Sequence, residues 1–301
     1  MPARNKASGA GIGNLWLDME GMMLGFGKVT RRFLSTSSRM IDERSASRRD
    51  PIALLYKLSI ESEVPNINYV CHIHPERKLV YIEIPKAASS YVLRKILEFA
   101  GTDLSSVDNV HKRSNSKLAS PDRLGALAFT ALLCDPATYV FTVTRNPYHR
   151  AISCYLDKFE TVVIGDGSYI SNLVVMASRM LDFPEIRGRP LTWPEFVDFL
   201  ALTVPLKLDG HWATQASIVP EHSLKLHKIA RIETLAEDLW EIFHRLGASP
   251  EFLRSLSLPH RPVADSRVHH CLAEPEAEKL RTIYAADFER FGYSPELPPQ
   301  R

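Results

Sequence analysis

Two short segments of this chain carry residue types suited to binding a negatively charged group. Residues 85–90 read PKAASS and combine one mobile ammonium group with two hydroxyls. Residues 145–147 read RNP and precede a helical pattern that carries Ser153. Each segment follows a β-branched and aromatic stretch and opens a helix, so unsatisfied backbone N–H groups and the positive end of a helix converge there. The sequence therefore predicts two sites for phosphate or sulfate groups.

The first segment has the parts of an anion loop. Lys86 supplies a charge, and Ser89 and Ser90 supply hydroxyl donors. The small side chains of Ala87 and Ala88 let the backbone approach a bound anion closely. By itself such a segment is more often a solvated lysine followed by an ordinary helix cap. It indicates an anion site only together with a second segment of the same kind.

The second segment begins where a predicted strand ends. Arg145 follows the run TYVFTVT at residues 138–144, and open α/β sheets bind ligands at the carboxyl ends of their strands. The planar guanidinium fork suits a phosphate monoester. Pro147 is well placed to start the helix that follows.

Strand and helix patterns alternate through the rest of the chain. Predicted strands cover residues 78–84, 138–144 and 226–232, and predicted helices cover 89–100, 121–134, 147–159 and 274–291. Capping-box signatures, Thr192 with Glu195 and Thr234 with Glu237, start two further helices. Alternation of this kind predicts a three-layer α/β fold with a central parallel sheet.

Charge and composition limit the classes of protein to which this chain could belong. The 301 residues are 45% hydrophobic, which is ordinary for a globular protein. Residues 1–50 hold nine Lys/Arg against five Asp/Glu and predict a disordered basic tail, followed by a single domain over residues 51–301. The remainder is close to neutral, so we expect no nucleic-acid binding, and any anion site must be local.

Cysteine usage and hydropathy exclude further classes. The four cysteines are scattered without metal-ligand spacing, which predicts no metal site. The most apolar stretch, residues 125–144, is broken by Asp135 and Pro136 and predicts no transmembrane helix. No segment has the pattern of a signal peptide, so we expect a cytoplasmic protein.

Four segments in order resemble the carbohydrate sulfotransferases of the Golgi type and their bacterial relatives. Residues 145–159 are similar to R-D-P-(F/Y)-x-R-L-x-S-x-Y-x-(D/N)-K-F, 209–215 to (D/N)-x-H-W-x-P-Q, 228–238 to K-(F/I)-E-x-L-x-x-D, and 284–293 to Y-x-x-D-F-x-x-F-x-Y. The resemblance covers about residues 78–293 and implies a P-loop-like sulfotransferase fold. The competing phosphate-loop pattern G-x-x-x-x-G-K-(S/T) is absent from the sequence.

The resemblance implies that the donor is 3′-phosphoadenosine-5′-phosphosulfate (PAPS), with no metal, and that the acceptor is a carbohydrate or glycolipid. The first loop would hold the 5′-phosphosulfate and the second the 3′-phosphate. Lys86 would stabilise the leaving oxygen. The donor-binding residues expected from this comparison are Pro85, Lys86, Ala87, Ala88, Ser89, Ser90, Tyr91, Arg145 and Ser153.

The sequence departs from the family pattern in three places. Ser89-Ser90-Tyr91 replaces C/S-T-x-W, which keeps the hydroxyls and an aromatic ring. Asn146 replaces an aspartate expected to orient Arg145, and Thr214 replaces a proline. These changes leave open a degenerate protein that binds PAPS without turnover, and, less favoured, a phosphotransferase.

Sulfuryl transfer also needs a general base for the acceptor hydroxyl. His111, between the two loops, is the first candidate, and His211 in the Asp-Gly-His-Trp segment is the second. Glu83 is a further option for the base, but an ordinary strand carboxylate is the preferred interpretation. His149 and Arg150 are read as a solvated helix face, with contact to the donor or an acidic acceptor as the less favoured alternative.

Overall fold

The computed structural model describes residues 67–112, 118–180, 189–205, 209–220, 224–256 and 271–297. All of them belong to one compact unit, Leu54–Arg301. The predicted basic tail at residues 1–50 lies outside the described residues. The single domain over residues 51–301 therefore stays a prediction.

A central sheet organises the described residues. Its strands, in the spatial order β1-β2-β3-β4, are Cys71–His74, Leu79–Ile82, Tyr139–Thr144 and Lys228–Arg231. β2, β3 and β4 run parallel, with Ile82 opposite Thr142 and Thr144 opposite Arg231. The predicted α/β fold and parallel sheet are confirmed, and each predicted strand is correct to within two residues at either end.

The edge strand β1 was not predicted. It pairs antiparallel with β2, with His72 opposite Tyr81. The connection between the two strands, residues 75–78, is a tight turn with Lys78 at φ 50°. A turn this short joins only antiparallel neighbours, because a parallel crossover needs a dozen or more residues.

The helices surround this sheet in a series of short and medium lengths. They are α1 Ile67–Val70, α2 Ser89–Phe99, α3 Pro121–Leu124, α4 Ala126–Cys134, α5 Pro147–Lys158, α6 Tyr169–Met180, α7 Trp193–Thr203, α8 Gln215–Ile218, α9 Leu235–Arg245, α10 Pro250–Arg254, α11 Glu274–Ile283 and α12 Ala285–Phe291. Within the described part of the chain, no helix is long and apolar enough to cross a membrane.

Two predicted helices are each divided in the structure. Gly125 has φ 83° and separates α3 from α4, because a positive φ cannot continue a right-handed helix. Tyr284 separates α11 from α12, and its hydroxyl donates to the Trp212 carbonyl at 2.8 Å. Helical periodicity in the sequence does not indicate a tertiary hydrogen bond at this position.

The two predicted capping boxes have different outcomes. At Thr192 the prediction is confirmed, since the Thr192 N–H donates to the Glu195 carboxylate at 2.7 Å. At Thr234 it is wrong, because the Thr234 side chain accepts no hydrogen bond from the first turn of the helix. Its hydroxyl donates instead to the Asp238 carboxylate at 2.8 Å.

Candidate active site

The two predicted anion loops meet at one edge of the sheet. Parallel pairing of β2 with β3 puts the carboxyl ends of both strands side by side. Across this edge the Arg145 guanidinium Nη1 donates to the Lys86 carbonyl oxygen at 3.2 Å. Residues almost sixty positions apart in sequence therefore form one continuous loop surface.

The backbone of the first loop is unusual. Lys86 has φ 70° and Ala88 has φ 58°, both in the left-handed region that non-glycine residues rarely adopt. Ala88 is the N-cap of α2, and its methyl group cannot accept a hydrogen bond from the first turn. No side chain at the N-cap position therefore competes with an anion for the N–H groups of this helix start, which is the kind of site where anions bind.

The side chains of this loop divide into packing and exposed positions. Pro85, Ala87 and Ser89 are buried, whereas Ser90 is exposed. Tyr91 is half-buried and packs against the hydrophobic core. The loop thus rests on the core through its small residues and presents the Ser90 hydroxyl outward.

The second loop is held by Asn146, which stands where the family pattern has aspartate, and by Gln215, which matches that pattern. The Asn146 side chain accepts from the Tyr148 N–H at 3.0 Å and so caps α5, a role in which Asn equals Asp. Gln215 fixes Arg145 from both sides: Arg145 N–H donates to Gln215 Oε1 at 2.9 Å, and Gln215 Nε2 donates to the Arg145 carbonyl at 2.8 Å. Arg145 is therefore firmly positioned even though Asn146 stands where the family pattern has aspartate.

Thr214, at the family's proline position, caps the short helix α8. Its Oγ1 accepts from the Ser217 N–H at 3.3 Å. The N–H groups of Gln215 and Ala216 donate to the buried Asp287 carboxylate at 2.9 and 2.8 Å. The C-terminal motif therefore holds the His-Trp segment and, through Gln215, the backbone of Arg145.

Lys86 is linked to the helix of the second loop. Its Nζ lies 3.0 Å from Asp157 Oδ2, and its side chain is 16% exposed. Burial opposes ionisation of Asp157, but Lys86 and Lys158 outweigh it and hold the pKa of that carboxyl below its ordinary value. Ser153 is four residues before Asp157 and lies on the same face of α5.

Arg150 is a site residue that the sequence interpretation placed wrongly. It is 2% exposed, not solvated. Its guanidinium donates to three carbonyl oxygens, those of Pro85 at 3.0 Å, Ala213 at 2.7 Å and Gly210 at 2.7 Å. The signal was present in the spacing, since Arg150 precedes Ser153 by three residues and Asp157 by seven, on one helix face.

His111 contacts the first loop directly. Its Nε2 lies 2.8 Å from Ser90 Oγ, and its Nδ1 lies 3.2 Å from Glu83 Oε1. The second oxygen of Glu83 lies 2.6 Å from His72 Nε2. Glu83 is only 3% exposed, so it is not the ordinary strand carboxylate that the sequence suggested.

This surrounding sets the protonation of both groups. Burial by itself would raise the pKa of Glu83, but hydrogen bonds from His111 and His72, with their charges, bring it to about 2. The hydrogen bond to Glu83 raises the pKa of His111 above its ordinary value, against opposing effects of burial and of Lys158.

His211 lies in the segment that precedes α8. Its Nδ1 is 2.6 Å from Asp209 Oδ1, which also accepts its backbone N–H at 2.7 Å. Arg150 joins this segment to the loop through the Gly210 and Pro85 carbonyls. His211 is therefore connected to the loop indirectly, whereas His111 touches it.

No group of three or more His, Cys, Asp and Glu side chains that could hold a metal occurs among the described residues.

A sequence model of the sulfotransferase family matches residues 71–294, so the chain belongs to that family. It is similar to carbohydrate sulfotransferase 14 of Danio rerio, with 23% identity over 234 residues, 73% of this chain and 61% of the relative. It is also similar to human carbohydrate sulfotransferase 9, with 24% identity over 240 residues, 74% of this chain and 53% of the relative. Human carbohydrate sulfotransferase 8 shows 24% identity over 253 residues, 79% of this chain and 59% of the relative. No solved structure matches the chain significantly.

The chain spans between about half and three fifths of the length of these curated relatives. The family assignment covers the segment that contains both anion loops, His111 and His211.

Proposed function

We propose that this chain transfers a sulfuryl group from PAPS to a hydroxyl of a carbohydrate acceptor. The observation that carries the proposal is the meeting of the Lys86 loop, the Arg145 loop and His111 at one edge of the sheet. The names of the similar proteins support a carbohydrate acceptor.

The two loops suit the two anionic ends of this donor. The first loop would take the 5′-phosphosulfate on the N–H groups at the start of α2, assisted by Ser89, Ser90 and Lys86. Arg145 and Ser153 would take the 3′-phosphate, to which a guanidinium fork is suited. Gln215 holds the backbone of Arg145, and the guanidinium itself donates to the Lys86 carbonyl.

The chemical step is an in-line displacement at sulfur. The acceptor oxygen forms a bond to sulfur while the bond from sulfur to the 5′-phosphate oxygen breaks, releasing adenosine 3′,5′-bisphosphate. Lys86 stabilises the charge that develops on the leaving oxygen. Catalysis of such a loose transition state depends mainly on positioning and charge stabilisation.

The proton of the acceptor hydroxyl passes to His111 Nε2. In the structure this nitrogen already faces a hydroxyl, that of Ser90, at 2.8 Å, which is the distance a general base requires. Binding of the donor phosphate turns the Ser90 hydroxyl toward the anion and leaves Nε2 for the acceptor. His211, whose link to the loop runs through Arg150, is the second candidate.

The test is transfer of the radiolabelled sulfuryl group of PAPS to a panel of glycans and glycolipids, comparing wild type with Lys86→Ala and Arg145→Ala. Lys95→Ala is the matched control, since Lys95 is 12% exposed and pairs with Glu98 at 2.9 Å. We expect labelled product with wild type and the control, and a loss of about 100-fold or more with Lys86→Ala.

Two outcomes contradict the proposal in different ways. Tight binding of adenosine 3′,5′-bisphosphate without transfer to any acceptor would indicate the donor-binding protein without turnover. Failure to bind that nucleotide would exclude PAPS as the donor. If His111→Ala keeps near-normal turnover while His211→Ala loses it, His211 is the base.

A further inference from the structure

We propose that His72 and Glu83 are positioning residues that act through His111, holding its Nδ1 protonated and its Nε2 available as the base. The three side chains are called here the histidine–carboxylate chain. This inference rests on the proposed function, in which His111 accepts the proton of the acceptor hydroxyl.

The protonation pattern follows from the geometry around Glu83. Each carboxylate oxygen faces one imidazole nitrogen, His111 Nδ1 at 3.2 Å and His72 Nε2 at 2.6 Å. An ionised carboxylate only accepts hydrogen bonds, so both facing nitrogens must carry hydrogen. Neutral His111 then has its lone pair on Nε2, and the Ser90 hydroxyl donates to it.

Glu83 remains ionised because both of its oxygens are satisfied. A buried carboxylate with a single partner would be costly, and a second donor offsets the loss of water. The pKa of about 2 for Glu83 agrees with a permanent carboxylate at neutral pH. Its charge stabilises the imidazolium that forms when His111 takes a proton.

The unexpected edge strand supplies the second donor. β1 places His72 opposite Tyr81, and the His72 ring stacks on Tyr81 with centroids 5.9 Å apart. Tyr81 in turn stacks on Phe141 at 4.9 Å. Three strands therefore fix the plane of the His72 ring and aim Nε2 at Glu83.

Glu83 is joined to β1 by its backbone as well. The Glu83 N–H donates to the Val70 carbonyl at 2.7 Å, immediately before Cys71 begins the strand. Glu83 is also only three residues before Lys86. The same backbone stretch thus places the carboxylate behind His111 and the lysine at the leaving oxygen.

Among the described residues, charged and titratable groups act on both His111 and Glu83. Glu83 and Lys158 act on the pKa of His111 with opposite signs. Glu83 is faced by His72 and by Tyr81, whose phenol stays neutral because burial and Glu83 raise its pKa. Removing the Glu83 charge must therefore lower the pKa of His111.

The experiment compares Glu83→Gln, His72→Phe and His72→Gln with wild type, using His74→Gln as the control. His74 is buried on the same strand, two residues from His72. The readouts are kcat, the acceptor KM, the pH profile of kcat/KM, and the affinity for adenosine 3′,5′-bisphosphate.

We expect Glu83→Gln to lower kcat by about 100-fold or more, as loss of the orienting carboxylate does in a catalytic triad. The rising limb of the pH profile of kcat/KM should move to lower pH, because the pKa of His111 falls. The nucleotide affinity and the acceptor KM should stay within about threefold of the wild-type values. His72→Phe should lower kcat by about tenfold without that downward shift. His72→Gln, whose amide still reaches Glu83, should restore most of the loss, and His74→Gln should match wild type.

A measurement without turnover completes the test. Nitrogen NMR of histidine-labelled wild type should show neutral His111 protonated on Nδ1 and unprotonated on Nε2. Hydrogen on Nε2 in the neutral form, or a Glu83→Gln protein with wild-type kcat and pH profile, overturns the proposal. If wild type transfers sulfate to no acceptor, the proposed function fails while the NMR result still decides the histidine–carboxylate chain.

Discussion

The Arg150 guanidinium donates to the Pro85 carbonyl at 3.0 Å, so the helix that follows the second anion loop also holds the first one. Its other two donors reach the segment that contains His211. One buried cation therefore fixes the mutual positions of three segments that are distant in sequence. This is a structural role, separate from contact with the donor.

Replacing Arg150 with Met should destabilise the protein by about 3 kcal/mol, since two buried carbonyl oxygens and a part-buried one lose a charged donor at once. Urea unfolding measures this change. Arg254→Met is the matched control, because Arg254 is exposed at the end of α10, and its effect should stay within about 0.5 kcal/mol. Equal stability of the two variants would contradict the structural role of Arg150.

Arg145→Lys should weaken binding of adenosine 3′,5′-bisphosphate by about 10- to 100-fold, because the ammonium cannot reproduce the guanidinium fork. Binding of adenosine 5′-phosphate should change by less than about twofold, since that nucleotide has no 3′-phosphate for Arg145 to contact. Calorimetry with both nucleotides, and Arg94→Lys on α2 as the control, checks the assignment. Equal weakening for both nucleotides would place Arg145 elsewhere in the site.

Asp157→Asn should tighten nucleotide binding by about two- to fivefold, because the partly exposed carboxylate competes with the donor for Lys86. Glu98→Gln removes the comparable partner of Lys95 and should leave the affinity unchanged. The two variants are compared by calorimetric titration at one salt concentration. Weaker binding by Asp157→Asn would show that the carboxylate positions Lys86 for the donor.

Acid should destabilise the protein through Glu83. Its pKa in the folded protein is about 2 against an ordinary value of 4.5, so its contribution is present above pH 4.5 and is lost as pH falls toward 2. The contribution is at most about 3 kcal/mol. Glu83→Gln should flatten the fall in unfolding free energy between about pH 5 and pH 3. A curve parallel to wild type would show that Glu83 has an ordinary pKa.

Much of the fold and the two anion loops could be predicted from the sequence. The strands that lead into Lys86 and Arg145 are short apolar runs buried in a sheet, and such runs are strong local signals. Pro147 predicted the start of α5. The division of the predicted helix at Tyr284 was not predicted. The hydrogen bond from the Tyr284 hydroxyl to the Trp212 carbonyl joins residues 72 positions apart, and no local pattern indicates it.

The roles of individual polar side chains were harder to predict. Arg150 was read as part of a solvated helix face and Glu83 as an ordinary strand carboxylate, because charged residues are mostly exposed. Local sequence does not show three convergent carbonyls or two convergent histidines. His72 lies on the unpredicted strand β1, so its contact with Glu83 depends on a pairing that no local pattern indicates. His111 was identified through its place between the two anion loops.

The left-handed conformation of Ala88 limits which amino acids evolution can use there. Glycine adopts this φ without cost, alanine and asparagine at a modest cost, and β-branched residues at a prohibitive one. A library with every residue at position 88, selected for nucleotide binding, should return mainly Gly, Ala, Asn and Asp. Variation at position 88 of the first anion loop is therefore restricted by backbone geometry, independently of any selection for ligand binding.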